Sequence, residues 1–417
     1  MTRKRKVIIW GLLLLTAGLP AAAGCGGAEP ERVYAEPADH VDQRLVDGNT
    51  RFGFDLFHRL AGESPGQNLL ISPASVSAAL AMTINGAAGE TSEAMMEALQ
   101  LQGMSLAEMN QAFNNLITIL RNPDPRVALV VANSLWARAG VPFKEDFLQR
   151  NRDYFEAELA ELDFNAPQAA DAINGWVREQ TRGKIAEIVK PPINPLTVLF
   201  LINAIYFNGT WTEQFDKKLT SELPFHLPDG TSKDYPIMFQ SGSYRYLKED
   251  SFEAISLPYG DKGRVSMYLF LPAPDSSLAG FYRDLNPENW AHWTGSFSER
   301  EGEIGLPRFK FAYEKSLNES LKALGMEVAF DQGEADFSGM RPIPPNLFIS
   351  EVKHKTFIEV NEVGTEAAAV TSVEMTLTAM PVDKFNMIVD RPFFFAIVDN
   401  QTGTILFMGA VSDPGAS

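Results

Sequence analysis

The stretch that begins at His354 constrains the fold more than any other part of the chain. His354-Lys355-Thr356-Phe357-Ile358-Glu359-Val360 alternates as a strand does. Asn361-Glu362-Val363-Gly364 then reads as a flexible joint. Beyond it, Thr365 to Asp383 is long, small and weakly polar. A connection of roughly 25 residues is unusual in a compact domain and usually carries function. Its parity is informative. Thr365, Ala367, Ala369, Thr371, Val373 and Met375 occupy the odd positions, and all of them suit a buried face. The even positions hold both charges, Glu366 and Glu374, together with Ala368, Val370 and Ser372. The segment is thus patterned to become a strand with one buried face, and its small residues would let it slide between strands already in place. A disordered loop, or a helix through the Ala run, is the competing expectation.

The rest of the chain supports an α+β body. Apolar residues at Leu45, Phe52, Leu56, Phe57 and Leu60 have helical spacing. Asn68 to Ile71 reads as a short strand, and Ser72-Pro73 as a helix start by N-cap and first-turn proline. Further helices are expected around 91–100, 105–121, 143–151 and 168–183. Strands are expected at 127–137, 197–207, 265–272, 306–312, 393–399 and 404–411, several of them apolar on both faces. No linker-like break divides 45–414.

The 417 residues carry 36 Lys and Arg against 53 Asp and Glu, for a formal charge of −17. A nucleic-acid partner is therefore not expected. A single cysteine excludes an intrachain disulfide and a metal site built on several thiolates. No cofactor and no metal are implied. Arg3 to Lys6 is basic, Val7 to Leu19 is apolar and Ala21 to Gly24 is small, which is the layout of a secretory signal. Cys25 follows at once and resembles the lipobox cysteine of bacterial lipoproteins, which is acylated after cleavage in front of it. The family usually has Leu three residues earlier, where this chain has Ala22. Residues 1–24 are read as a lipoprotein signal peptide, 25–44 as a lipid-anchored flexible tether and 45–417 as the folded domain. Removing residues 1–24 takes away four basic groups and leaves −21. The expected location is the cell envelope or surface, or secretion if Cys25 is not acylated. Gly26-Gly27 lacks the Asp that often retains lipoproteins at an inner membrane.

Catalytic patterns are weak. The five histidines, His40, His58, His226, His292 and His354, form no metal or triad motif. Gly62-Glu63-Ser64-Pro65-Gly66 matches G-x-S-x-G, but a helix precedes it and a strand follows, the reverse of a nucleophile elbow. Sequon matches at Asn208, Asn318 and Asn400 are read as chance.

Six runs in order resemble the serpins: 68–82 (NLLISPASVSAALAM), 200–216 (FLINAIYFNGTWTEQFD), 306–311 (LPRFKF), 324–339 (LGMEVAFDQGEADFSG), 354–372 (HKTFIEVNEVGTEAAAVTS) and 402–411 (TGTILFMGAV). The resemblance implies the serpin fold, with three β-sheets, about nine helices and an exposed reactive-centre loop at about 364–383. It implies a suicide inhibitor rather than an enzyme. A target protease attacks the loop and forms an acyl-enzyme. The cut loop then inserts into the central sheet. About 14 residues at about 3.3 Å each carry the protease some 45 Å and distort its catalytic groups.

By resemblance, Glu362, Gly364, Thr365, Glu366, Ala367, Ala368 and Ala369 form the hinge of an inhibitory member. Val363 departs, since the family usually has a charged or polar residue before the glycine. Ser72, Ser75, Asn203 and His354 match the shutter, and Trp211 with Glu362 the breach where the loop enters. The usual count puts the reactive bond at Thr378–Ala379, or one residue earlier at Leu377–Thr378. No Lys or Arg lies between Thr365 and Asp383, which argues against a trypsin-like target. Elastase-like or subtilisin-like proteases rank first, chymotrypsin-like and then papain-like ones after them. The expected partners are a serine, or cysteine, protease and a membrane through lipid on Cys25, with the chain otherwise a monomer. A non-inhibitory serpin is the alternative.

Overall fold

The computed structural model describes residues 41–121, 123–365 and 384–416. Helix α1 (Gln43–Glu63) starts on Asp42, whose side chain accepts from the Arg44 amide. Strand β1 (Leu69–Ile71) follows, then α2 (Pro73–Ile84), capped by Ser72 with Pro73 in its first turn. Nearly every α2 residue is buried, so this helix runs through the core rather than along its surface. Helices α3 (Gly89–Ala98) and α4 (Leu106–Leu120) come next, the latter opened by a Ser105–Glu108 capping box. The chain continues with β2 (Val127–Arg138), α5 (Glu145–Phe155), β3 (Glu158–Leu162), α6 (Ala169–Gln180) and β4 (Leu199–Thr210). Then come β5 (Ser221–His226), β6 (Ser232–Lys248), β7 (Phe252–Tyr259), β8 (Val265–Pro272), α7 (Leu278–Asp284) and α8 (Pro287–Ser296). Strands β9 (Ser298–Pro307) and β10 (Phe309–Ser316) precede a broken helical run, α9 (Asn318–Leu321) to α10 (Glu327–Phe330), interrupted at Gly325 with φ 104°. Strands β11 (Lys353–Val360), β12 (Gly364–Thr365), β13 (Phe385–Ile388), β14 (Phe393–Asp399) and β15 (Ile405–Val411) end the fold. Eight regular α-helices and one broken run are therefore present among the described residues, in line with the expected nine or so.

The strands form two hydrogen-bonded sets. The first has the order β10-β11-β12-β4-β2-β3. The second runs β1-β15-β14-β8-β7-β6-β9-β13, with β5 beside β6. Its length comes from β6, whose residues 232–237 pair with β5 while 245–248 pair with β7. The expected second and third sheets are thus continuous through one 17-residue strand. The expected strand over 306–312 is two strands. The chain breaks at Arg308, leaving β9 in one set and β10 in the other. The main core lies between the two sets and α1–α2, with Phe52, Phe57, Phe270, Phe393 and Trp211 fully enclosed. A second cluster fixes α6 through Ile173, Trp176 and Val177 onto Trp136, Ile202 and Ala204 of the first sheet.

Candidate functional site

The site is built where β11 turns into β12. The expected flexible joint is a tight hairpin: Asn361 N–H donates to the Gly364 carbonyl at 3.0 Å and Gly364 N–H to the Asn361 carbonyl at 3.2 Å. This reversal sets Thr365 opposite Val360. On its other side β12 pairs with β4, Gly364 against Thr210 and Thr365 against Gly209, again antiparallel. Two residues of β12 therefore lie between β11 and β4. The fit is close. A Cβ on Gly364 would come within 2.0 Å of the Gly209 carbonyl oxygen, and one on Gly209 within 2.8 Å of the Tyr259 ring. Gly364 is needed for close approach of the β4 backbone, and Gly209 leaves room for the Phe207 and Tyr259 rings.

Thr365 is 2% exposed, and its hydroxyl lies 2.7 Å from the Tyr259 hydroxyl. Tyr259 stacks on Trp211 with ring centroids 4.3 Å apart, and burial pushes its phenol well above the ordinary range. Trp211 also ties down the joint. Its backbone N–H donates to the Val363 carbonyl, and its indole N–H to the Asn361 carbonyl, both at 2.9 Å. Val363, the departure from the family pattern, is buried beside it.

Glu362 is buried, and its carboxylate accepts from Arg308 through Nε at 2.8 Å and through Nη2, and from the Thr220 hydroxyl at 2.7 Å. Burial pushes this carboxyl up, but the donors from Arg308 and Thr220 outweigh it and leave the pKa below the usual value. Arg308 is the residue that interrupts the expected 306–312 strand. Its backbone N–H still donates to the Pro236 carbonyl of β6 at 3.0 Å, and its side chain reaches the joint.

A polar cluster lies further down the same sheet, at the N-terminus of α2. Ser72 N–H donates to His354 Nε2 at 3.1 Å, and Ser72 Oγ–H to the Leu406 carbonyl at 2.6 Å. Ser75 Oγ–H donates to Asn203 Oδ1, whose Nδ2 donates to Asn133 Oδ1 at 2.7 Å. Asn133 Nδ2 then reaches the Phe155 carbonyl at 2.7 Å. The four residues expected at the shutter are thus gathered around one helix start, in two hydrogen-bonded halves: Ser72 with His354, and Ser75 with Asn203. His354 is fully enclosed, and burial pulls its pKa down to about 4. The neutral ring accepts at Nε2, so its proton sits on Nδ1.

Glu366, Ala367, Ala368, Ala369, Leu377, Thr378, Ala379 and Cys25 lie outside the described residues. Tyr259, Arg308, Thr220, Asn133 and Gly209 belong to the site and were not singled out from the sequence. Arg308 stands in the run LPRFKF, but Lys310 is charged there too, so the run does not single it out. Ser64 follows α1 on a turn before β1, so the G-x-S-x-G match has no strand ahead of it. Among the described residues, no group of three His, Cys, Asp or Glu side chains is placed to hold a metal, and no helix is long and apolar enough to cross a membrane.

A mixed fold whose central sheet takes up the start of a long connection at a tight joint defines a structural class whose members are generally protease inhibitors. Residues 47–414 match the model of the Serpin family, serine protease inhibitors. Serpin B6 of Pongo abelii is 37% identical over 379 residues, covering 89% of this chain and 99% of that protein. The leukocyte elastase inhibitor of Equus caballus is 36% identical over 384 residues, covering 89% of this chain and 100% of that protein. The native structure of tengpin, a thermophilic serpin, superimposes with a TM-score of 0.81 at 34% identity, covering 92% of this chain and 98% of that one. The chain belongs to the serpin family.

Proposed function

We propose that this serpin is a suicide inhibitor that traps a serine protease as an acyl-enzyme. The observation that carries the reading is Thr365, already paired to both Val360 and Gly209. That one position sets a register for everything after it. Continued down the sheet, each later loop residue falls one step lower on β11 and on β4. Odd residues then share the buried face of Thr365 and even residues the opposite face. Ala367 and Ala369 go inward, and Glu366 and Glu374 outward. In the same register Thr371 falls opposite both His354 and Asn203. Its hydroxyl would enter between the two halves of the polar cluster and offer an acceptor to His354 Nδ1–H.

The chemistry starts as ordinary proteolysis. The protease serine Oγ attacks the Thr378 carbonyl carbon, the C–N bond to Ala379 breaks, and the amine leaves with a proton from the protease histidine. An ester remains between Thr378 and the protease. Insertion of the freed segment between β4 and β11 then draws the protease along the sheet before water can cleave that ester. Gly364, Thr365 and the small residues after them permit this. Thr378 after Leu377 favours an elastase-like or subtilisin-like target, and the elastase inhibitor among the relatives agrees with that choice.

The N-terminus completes the reading. Cleavage before Cys25 and acylation of its thiol would tether residues 45–417 to the cell envelope through residues 25–44, with the body acting as a monomer. Mass spectrometry of the N-terminal peptide from the native host tests this, and an unmodified Cys25 would overturn the lipid anchor.

The inhibitor reading is tested by incubating the protein with pancreatic-type elastase, a subtilisin and a chymotrypsin. A band at the summed mass that survives denaturation, with a released peptide beginning at Ala379, is expected. A peptide beginning at Thr378 would move the bond. Complete cleavage with full protease activity, and no gain in melting temperature, would overturn inhibition in favour of a non-inhibitory serpin.

A further inference from the structure

Asp124 stands in the short connection between α4 and β2, and it is 1% exposed. A buried carboxylate is costly unless donors surround it. Here three backbone amides do so. Its Oδ1 accepts from the Arg126 N–H at 2.9 Å. Its Oδ2 accepts from the Asp261 N–H at 2.9 Å and the Lys262 N–H at 3.1 Å. The last two amides belong to the turn that joins β7 to β8, far along the chain.

That turn begins at Gly260, directly after Tyr259. Gly260 has φ 76°, and a Cβ on it would lie 2.4 Å from the Asp124 Cγ. Turn and carboxylate therefore approach as only glycine allows. The rest of the turn is held as well. Gly260 N–H donates to the Thr210 carbonyl at 2.8 Å. The Gly260 carbonyl accepts from Arg126 Nη2 and from the Thr212 hydroxyl, both at 2.7 Å. Arg126 also pairs with Asp261 at 2.6 Å, and its carbonyl accepts from the Thr210 N–H at 3.1 Å. The residues fixed in this way are those that meet β12. Thr210 lies opposite Gly364, and Trp211 holds the Val363 and Asn361 carbonyls. Tyr259 lies against both Trp211 and Thr365.

We propose that Asp124 is a positioning residue for loop insertion, a role that rests on the inhibitor reading above. Its carboxylate fixes the Gly260 turn, and thereby the Tyr259–Trp211 surface that receives Thr365. It acts through backbone amides. Both its shape and its charge are used, because it is set against a glycine on one side and aimed at by three donors on the others. Asparagine has nearly the same shape but only one acceptor oxygen, so an N–H would face an N–H. The ion pair between Arg126 and Asp261 provides an internal contrast. It touches the same turn, but Asp261 is 56% exposed, and an exposed pair contributes little.

The test compares Asp124→Asn, Thr212→Val, Asp261→Asn and Leu271→Ala in the full chain. Thr212→Val removes one donor from the Gly260 carbonyl, with less risk to folding. Leu271→Ala lowers stability from the buried end of β8 remote from the turn. Two quantities are read against the protease that the wild type traps: the rate at which the loop is cut, and the number of inhibitor molecules consumed per protease trapped. The cutting rate should stay at the wild-type value in all four. Consumption should rise about tenfold for Asp124→Asn and about threefold for Thr212→Val, the size of a lost charged and a lost neutral hydrogen bond. Asp261→Asn and Leu271→Ala should consume as the wild type does, although Leu271→Ala melts lower. The near-ultraviolet circular dichroism of the stacked rings is an independent readout. Asp124→Asn should change it, and the change should vanish in a Trp211→Phe background. Equal consumption by Asp124→Asn and Leu271→Ala, or a spectral change that persists without Trp211, would overturn the positioning role. If Asp124→Asn does not fold, Thr212→Val decides by the same two criteria. A wild type that traps no protease overturns the inhibitor reading, and this role falls with it. A wild type that traps while Asp124→Asn consumes no more than it does overturns this role alone.

Discussion

Acidification should weaken this protein through one imidazole. His354 is fully enclosed, and its Nε2 accepts from the Ser72 amide at 3.1 Å. Protonation would set an N–H against an N–H and leave a charge in the core, so the folded protein holds the ring neutral, with a pKa of about 4. Unfolded, the ring titrates near 6.5. The folded value is the lower of the two, so the unfolded chain takes up the proton first. Stability is complete above pH 6.5 and falls as pH drops toward 4. The loss is about 2 kcal/mol at pH 5 and about 3 kcal/mol at pH 4. Glu362 also has a depressed pKa, but its contribution is lost only below its ordinary value of 4.5. The interval from pH 7.5 to 5 therefore isolates His354 from it.

The measurement is urea unfolding across that interval, followed by tryptophan fluorescence, for the wild type and for His354→Gln. Glutamine keeps an acceptor for Ser72 and does not titrate. The wild type should lose about 2 kcal/mol between pH 7.5 and 5. His354→Gln should start lower and stay nearly flat. Parallel slopes in the two proteins would refute the assignment of this pH dependence to His354.

Three further outcomes follow from the same geometry. Arg308→Met should destabilise by about 3 kcal/mol, because it strands a carboxylate whose side chain is 3% exposed, whereas Glu362→Gln should cost about 1 kcal/mol, since Arg308 is 42% exposed and can turn to water; denaturant midpoints of the two variants decide whether the asymmetry is real. Thr365→Arg should expel β12 from between β11 and β4 and be cleaved without trapping, because a guanidinium cannot take the buried place beside Tyr259; the ratio of complex to cleaved product on a denaturing gel reads this directly. Ser75→Ala should cost about 1–2 kcal/mol by removing the donor to Asn203, and native gels after mild heating should show more self-associated chains.

What the sequence revealed was uneven in a physically consistent way. Helices with one apolar face, such as α1, and strands apolar on both faces, such as β8 and β14, were legible, because burial writes itself into residue type. Strands β3, β5 and the outer half of β6 were not, since Glu158–Leu162 and Ser232–Tyr235 lie mostly exposed or half-buried and carry charges where a strand signal would need apolar residues. The division at Arg308 was hidden because LPRFKF reads as one run. At Arg308 the backbone N–H still donates to the Pro236 carbonyl of β6 while Phe309 already pairs with Val360 of β11, a change of partner that residue types do not announce. Tyr259 gave no signal either, because its partners, Trp211 and Thr365, are remote in sequence and meet only through sheet pairing.

The joint shows why parity was the stronger part of the sequence argument and flexibility the weaker. A strand shifted by one residue exchanges its faces entirely. Thr365 is therefore a sufficient reporter: it is buried, hydrogen-bonded on that face and paired on both edges. If its hydroxyl faced outward, Glu366 would face the core, where an unpaired carboxylate costs several kcal/mol. The alternation of charge after Gly364 thus agrees with the one residue of the segment whose orientation is described. The supposed flexibility of Asn361 to Gly364 has no such support. A two-residue hairpin, an indole on the Asn361 carbonyl and an ion pair on Glu362 hold the joint in one shape. A segment fixed at its start and patterned beyond it meets the sheet in one register only, as the proposed insertion requires.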